Sequence, residues 1–170
     1  FVGLGYGGTI RNCFALGNVS ARTHSGGFVG RSVYQGNVYE NCYAASVVTV
    51  TEKEGNGFIG GNQDWSSFQY DQTEGITNCY YNSSTASSHS YNATGKSLDE
   101  MKAVDFLTAL SGSAAGVWTQ DADHNNGLPY LSGVKVPETA KTTQITVNIA
   151  VAAYNKATYS FEQSGDVLSV

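Results

Sequence analysis

From Phe1 to Asn82 the apolar residues fall in short runs of three to six, separated by glycine or polar positions. Runs of that length suit strands rather than helices, and the glycines between them suit tight corners at positive φ. The runs also recur. Phe1-Val2-Gly3, Gly8-Thr9-Ile10-Arg11-Asn12-Cys13-Phe14-Ala15 and Gly17-Asn18-Val19-Ser20 form a first unit. Gly27-Phe28-Val29-Gly30, Gly36-Asn37-Val38-Tyr39-Glu40-Asn41-Cys42-Tyr43-Ala44 and Val47-Val48-Thr49-Val50 form a second. Gly57-Phe58-Ile59-Gly60 and Gly75-Ile76-Thr77-Asn78-Cys79-Tyr80-Tyr81 belong to a third. Phe1, Phe28 and Phe58 follow one another at 27 and 30 residues, Cys13, Cys42 and Cys79 at 29 and 37; an insertion over residues 63–73 explains the longer last interval.

A unit of this length carrying three strands matches one coil of a parallel β-solenoid, in which equivalent residues stack about 4.8 Å apart. The expected fold is therefore mostly all-β: a short right-handed parallel β-solenoid of about three repeats over residues 1–95. Phe1, Gly3, Phe28, Gly30, Phe58 and Gly60 are its repeated structural positions, with Cys13, Cys42 and Cys79 as a stacked column. Ile10, Val38 and Ile76 are expected to form an inward ladder. Ile10 and Cys13 are three residues apart, and a regular strand cannot turn both to one side. A bend must intervene, with Asn12, Asn41 and Asn78 at the corner.

Beyond the repeats the pattern changes. Asn82 to Gly95, rich in Ser, Asn and Thr, reads as a loop. Ser97-Leu98-Asp99-Glu100 is a capping box, and Met101, Ala103, Val104, Phe106, Leu107 and Leu110 supply a helical apolar stripe before Gly112. A helix over residues 97–110 is expected to lid the apolar end of the stack, making residues 96–134 a cap and closing segment; a protein-binding helix is the rival reading. Residues 135–170 read as a linker and further β-strands at 142–151, 157–161 and 167–170. They are too few for a core of their own, and begin a following β module or pack on the solenoid.

Composition narrows the function classes. Glycine supplies 20 of 170 residues, but without the strict period of collagen, and only 14% are charged, too few for charged disorder. No run of 18 apolar residues occurs, and a net charge of −5 argues against nucleic acid or anionic lipid as the main partner. Three cysteines exclude a complete disulfide framework within the chain. Phe1-Val2-Gly3 opens no signal-peptide pattern, so the chain reads as an internal piece, and scarce lysine with abundant Ser, Thr, Asn and Tyr points to an extracellular setting.

Gly-Gly-Phe-Val-Gly followed by Gly-x-Ile/Val-x-x-Asn-Cys-Tyr/Phe-Ala, over roughly residues 1–82, resembles the GLUG-motif repeats of bacterial surface proteins. The later helix, Trp118 and Asn125-Asn126-Gly127-Leu128-Pro129-Tyr130-Leu131 are similar to the ending of such arrays. The resemblance implies a secreted or cell-wall protein with an adhesin-like or protease-associated repeat region, and the repeat is not known as a catalytic unit.

Candidate chemistry is sparse. The insertion carries Asp64, Trp65, Phe68, Tyr70, Asp71 and Glu74, and aromatics beside carboxylates can hold sugars, while Asp/Glu pairs hydrolyse glycosides. The plainer reading folds Trp65 and Phe68 back onto the solenoid wall. Asp121, Asp123 and Asn125 alternate like a calcium loop, but the glycine comes one place late and Ser132 stands where a glutamate belongs; a structural turn before Pro129 uses the same letters. His24, His89 and His124 share no metal-ligand spacing. No cofactor is implied. The leading expectation is a non-catalytic cell-surface module, adhesin-like or stalk-like, contacting host glycans or extracellular matrix protein. The alternatives are a polysaccharide-active enzyme using Asp64, Asp71 or Glu74, and an accessory region of a secreted peptidase.

Overall fold

The computed structural model describes residues 1–22, 25–52, 56–61, 75–84 and 91–139, the side chains of 33–35 excepted, and the backbone of 162–164 and 167–169. The chain divides into two units, Phe1–Ala140 and Lys141–Val170. In the first, β1 (Val2–Arg11), β4 (Val29–Ala44), β6 (Ile76–Asn82) and β7 (Thr94–Lys96) lie side by side in that order, with β2 (Phe14–Ala15) also on β4. All these pairings are parallel. The protein is mostly β, and this sheet is curled. β3 (Val19–Ala21) and β5 (Val48–Val50) form a separate parallel pair. Single parallel bridges join Gly26 to Asn56 and Val29 to Ile59.

The register puts like on like. Val2 pairs with Val29, Phe14 with Tyr43, Cys42 with Cys79, and Tyr43 with Tyr80. The inward ladder differs from the expectation in its middle member: Ile10 pairs with Tyr39, and Tyr39 with Ile76, while Val38 pairs with Thr9 and is half-buried. The reason is a register shift. Tyr6 faces Val33 but Gly8 faces Asn37, so β4 holds two more residues there than β1. Counting from the glycine misaligns the units, whereas counting back from Asn-Cys aligns Ile10, Tyr39 and Ile76.

The required bend falls where the spacing put it. Asn12, Asn41 and Asn78 have φ of 53°, 51° and 49°, the left-handed region that asparagine tolerates. The turn at each asparagine lets the residue two before it and the cysteine after it share the interior. That interior holds Phe28, Val29, Tyr39, Cys42, Ala44, Phe58, Ile59, Ile76 and Cys79. Phe28 stacks on Phe1 at 4.9 Å and on Phe58 at 4.8 Å, the rings nearly parallel, and Tyr39 meets Phe28 and Phe58 edge-on at 6.5 and 6.2 Å. The Tyr39 hydroxyl lies 3.2 Å from Ser32 Oγ, which accepts from Asn37 Nδ2 at 2.9 Å, so these three buried side chains are partnered.

One residue past each cysteine the chain faces the other way. Phe14, Tyr43 and Tyr80 form an outer column covered by α1 (Leu98–Met101) and α2 (Val104–Ser111). Tyr43 and Tyr80 each take the edge of Phe106, at 5.9 and 5.0 Å. Two corrections follow for the 97–110 stretch. The capping box forms, with Ser97 Oγ accepting from Glu100 N and Glu100 Oε2 accepting from Ser97 N, but the helix breaks at Lys102 and Ala103, where ψ of Ala103 is 148°. The break turns Val104 out to 77% exposure and brings Met101, Phe106 and Leu110 inward. The helical segments are seated on this outer face of the sheet rather than across an apolar end. Next to the interior, past Cys79, lie Tyr91 and Ala93.

Gly112 ends α2 with φ of 50°, as the glycine stop requires. β8 (Trp118–Thr119) and β9 (Tyr130–Leu131) form a small antiparallel pair around a 3₁₀ turn at Asn125–Gly127. In the second unit β10 (Glu162–Ser164) and β11 (Val167–Ser169) pair antiparallel. β11 matches the strand expected at 167–170; those expected at 142–151 and 157–161 lie outside the described residues.

Candidate functional site

The residues singled out for ligand contact, Asp64, Trp65, Phe68, Tyr70 and Asp71 with Glu74, all lie outside the described residues, as do His24 and His89. The other candidates have definite places.

The cysteines form a column of free thiols along the curled sheet, Cys13 half-buried and Cys42 and Cys79 buried. Each has a backbone carbonyl to donate to: Arg11 O for Cys13, Glu40 O for Cys42, and Tyr39 O for Cys79, at 3.2 to 3.3 Å. Burial, with the neighbouring Cys42 thiol second, pushes the Cys13 thiol up; a hydrogen bond shared with the Cys79 thiol, with burial second, does the same for Cys42. That keeps Cys13 and Cys42 protonated, and protonated thiols are poor nucleophiles and poor metal ligands. Among the described residues no group of three His, Cys, Asp or Glu side chains could hold a metal ion.

Asparagines make a second column. Asn78 Nδ2 donates to Asn41 Oδ1 at 3.0 Å, and Asn41 Nδ2 donates to Asn12 Oδ1 at 3.2 Å. The same residues that turn the corner thus tie successive corners together.

The alternating Asp121, Asp123 and Asn125 are organised as a turn. Asp121 Oδ1 accepts from the backbone N–H groups of Asp123 and His124, both at 2.9 Å, and lies 2.8 Å from His124 Nδ1. Asp121 Oδ2 accepts from the Tyr130 hydroxyl at 2.5 Å. The Tyr130 hydroxyl first, and His124 second, hold the Asp121 carboxyl down at about 2. Asn125 is buried and faces elsewhere: its Nδ2 donates to the Tyr43 hydroxyl and to the carbonyls of Leu128 and Pro129 at 3.1 to 3.3 Å. The Tyr43 hydroxyl itself donates to Pro129 O at 2.5 Å. Asn125, Asn126 and Gly127 have φ of 50°, 55° and 78°, which explains an Asn-Asn-Gly sequence by backbone need. The oxygens that alternate in sequence therefore answer to different partners in space.

Beside this turn lies an open groove of about 420 Å³, lined by Lys102, Val104 and Leu107 from the helical segments, by Gln120 and Ala122, and by Thr139. Gln120 Nε2 donates to Gly127 O at 2.7 Å and Met101 O at 3.3 Å, which ties α1 to the turn. Gln120 Oε1 and Thr139 Oγ1 are buried without a hydrogen-bond partner among the described residues. The groove offers an apolar wall, and its carboxylate, Asp121, is already committed to Tyr130 and His124; it assembles no nucleophile and base.

The roles of Tyr43 and Gln120 were not legible in advance. Tyr43 does occupy the aromatic position after Asn-Cys, as Phe14 and Tyr80 do, but its partners come from far along the chain. No protein-family model, curated protein or solved structure matches this chain.

Proposed function

We propose that this chain is a non-catalytic repeat module of a bacterial cell-surface protein, similar to the GLUG-motif regions. In this reading residues 1–95 are a short right-handed parallel β-solenoid of about three repeats, with the helical segments seated on its outer face, and the module serves as an adhesin-type stalk or binding unit toward glycans or matrix protein. The observation that carries it is the stacking of equivalent residues: Phe1 on Phe28 on Phe58, and Asn12 with Asn41 with Asn78. Residues that recur in the sequence are consumed in holding successive units together, the signature of a scaffold extended by repetition.

Binding then belongs to what departs from the repeat, and the insertion with Asp64, Trp65, Phe68, Tyr70 and Asp71 is the largest departure. The test is a glycan-array and matrix-protein screen of the chain beside a Trp65→Ala/Tyr70→Ala variant. Binding by the parent that the variant loses supports an adhesin-type module with its contact in the insertion. Binding by neither reduces the module to a spacer.

A further inference from the structure

Two Asn-Gly steps occur in the chain, Asn56-Gly57 and Asn126-Gly127. At such a step an asparagine can lose its amide without an enzyme, because no side chain hinders the glycine nitrogen. That nitrogen attacks Cγ of the asparagine, its proton passes to solvent, ammonia leaves, and a five-membered imide closes. Water then opens the imide at either carbonyl. One opening leaves aspartate; the other leaves isoaspartate, with the main chain rerouted through Cβ and Cγ. Water is the one reactant consumed.

The fold treats the two steps differently. Asn56 is buried, its Nδ2 donates to Gly60 O at 3.2 Å, and its backbone N–H donates to Ser25 O at 2.9 Å. A Cβ on Gly57 would fall on the Tyr81 ring, so this step is closely packed. Asn126 is exposed, and its side chain makes no hydrogen bond among the described residues. What guards it is the backbone. Asn125 and Asn126, at φ of 50° and 55°, are the central residues of a tight turn that Gly127 N closes on His124 O at 2.9 Å. The attacking N–H is therefore already spent as a donor. The ψ of Asn126 is 31°. At that angle the Gly127 nitrogen stands almost opposite Cβ across the Cα–C bond, whereas the imide needs the two on the same side. The turn must open before the ring can close.

This turn also anchors the closing segment. Gly127 O accepts from Gln120 Nε2 at 2.7 Å, and Asn125 Nδ2 donates to the Tyr43 hydroxyl at 3.3 Å and to Pro129 O at 3.1 Å. Isoaspartate at position 126 adds one carbon to the main chain between those two anchors and pulls them out of register. We infer that Asn126-Gly127 is a modification site locked by the fold: opening of the turn admits loss of the Asn126 amide, and the isoaspartate that forms keeps the turn from closing again. The closing segment is then released from Tyr43 in one direction only, since the lost ammonia is not regained.

The experiment ages the full chain in mildly alkaline buffer, with and without urea, and follows amide loss at each asparagine by mass and fragmentation. The parent, Tyr43→Phe and Asn126→Gly are compared; glycine keeps the positive φ and has no amide to lose. In urea both Asn-Gly steps should convert at similar rates. Without urea Asn126 should convert at least tenfold more slowly than in urea, and Asn56 more slowly still. Tyr43→Phe should speed Asn126 several-fold and leave Asn56 unchanged, because it loosens this turn alone. The isoaspartate fraction of the aged parent should exchange the Leu128 and Ser132 amides, bonded in the fold to Asn125 O and Val117 O, at least tenfold faster than fresh protein. β4 and β6 should stay protected, and aged Asn126→Gly should not change. Equal rates at Asn126 with and without urea overturn the lock. If Tyr43→Phe speeds both steps alike, or neither, conversion does not pass through local opening of this turn. Unchanged exchange of Leu128 and Ser132 in the isoaspartate fraction overturns the release.

Discussion

The interior of the curled sheet and the cluster on its outer face are built by opposite means. Inside, each residue meets its own equivalent from the neighbouring unit: phenylalanine on phenylalanine, asparagine to asparagine, cysteine beside cysteine. Outside, Tyr43 meets Pro129 and Asn125, and Met101, Phe106, Leu110, Trp118 and Leu128 close around it, each contributing once. The inner core depends on the register of one parallel strand on the next. The outer one sets a repeated column, Phe14, Tyr43 and Tyr80, against a closing segment that has no period. A stack of this kind loses a whole column when one rung fails, while the outer cluster loses one piece at a time.

The largest expected effect tests that difference within one column. Phe28 is buried between two rings, whereas Phe1 has one ring and much water. Phe28→Ala should cost about 3–5 kcal/mol, the range for a large buried aromatic, and Phe1→Ala much less. Urea midpoints of the two variants check it; equal losses would mean that burial in the column does not grade from its end inward.

The asparagine column comes next. Asn41 both holds φ near 51° and makes two ladder hydrogen bonds. Asn41→Gly keeps the backbone conformation and loses the amide, for about 1 kcal/mol, while Asn41→Ala adds about 1–2 kcal/mol for a side-chain-bearing residue in the left-handed region. Equal stability of the two variants would assign the whole role to the hydrogen bonds. Gly112, where a Cβ would clash with Asn78 Nδ2, is where the outer helix touches this column, and alanine there should disturb both regions.

On the outer face Tyr43→Phe removes one hydroxyl from Pro129 O and Asn125 Nδ2 and keeps the ring between Phe14 and Phe106. The expected cost is about 1–2 kcal/mol, since Asn125 retains the Leu128 and Pro129 carbonyls. A loss as large as that of Phe28→Ala would show that the closure, not the stack, limits stability.

What the sequence revealed follows the same division. The Phe and Cys columns and the bend at Asn12, Asn41 and Asn78 were readable, because a repeated residue in a parallel stack finds its partner at the repeat distance; the hydrogen bonds between those asparagines were not. Tyr39 was misplaced by one position, because the extra residues in β4 break the count from the glycine but not from Asn-Cys. The helix at 97–110 was legible in its capping box and its glycine stop. Its break at Ala103 was not, because tertiary packing of Met101 and Phe106 against Tyr43 and Tyr80 overrides a continuous stripe. The Tyr43–Pro129 contact spans 86 residues of non-repeating chain, and no local pattern announces it.

The smallest effect concerns the edge of the outer region. Asp121 accepts from Tyr130, His124 and two backbone amides, which hold its carboxyl at about 2, against roughly 3.9 for an unperturbed aspartate. A depressed folded value means that the unfolded chain takes up the proton first. The contribution of Asp121 is therefore fully present above about pH 4 and is lost as the pH falls toward 2. Glu100, held low chiefly by the Ser97 backbone N–H, loses its contribution in the same direction, so Asp121 must be isolated by substitution. Both groups are exposed, and salt should weaken the effect. Urea midpoints at pH 5, 4, 3 and 2 should fall more steeply for the parent chain than for Asp121→Asn below pH 4, with little difference above it. Parallel curves for the two would mean that the Asp121 carboxylate adds nothing to a turn already held by its left-handed asparagines, the buried Asn125 amide and the Gln120 side chain.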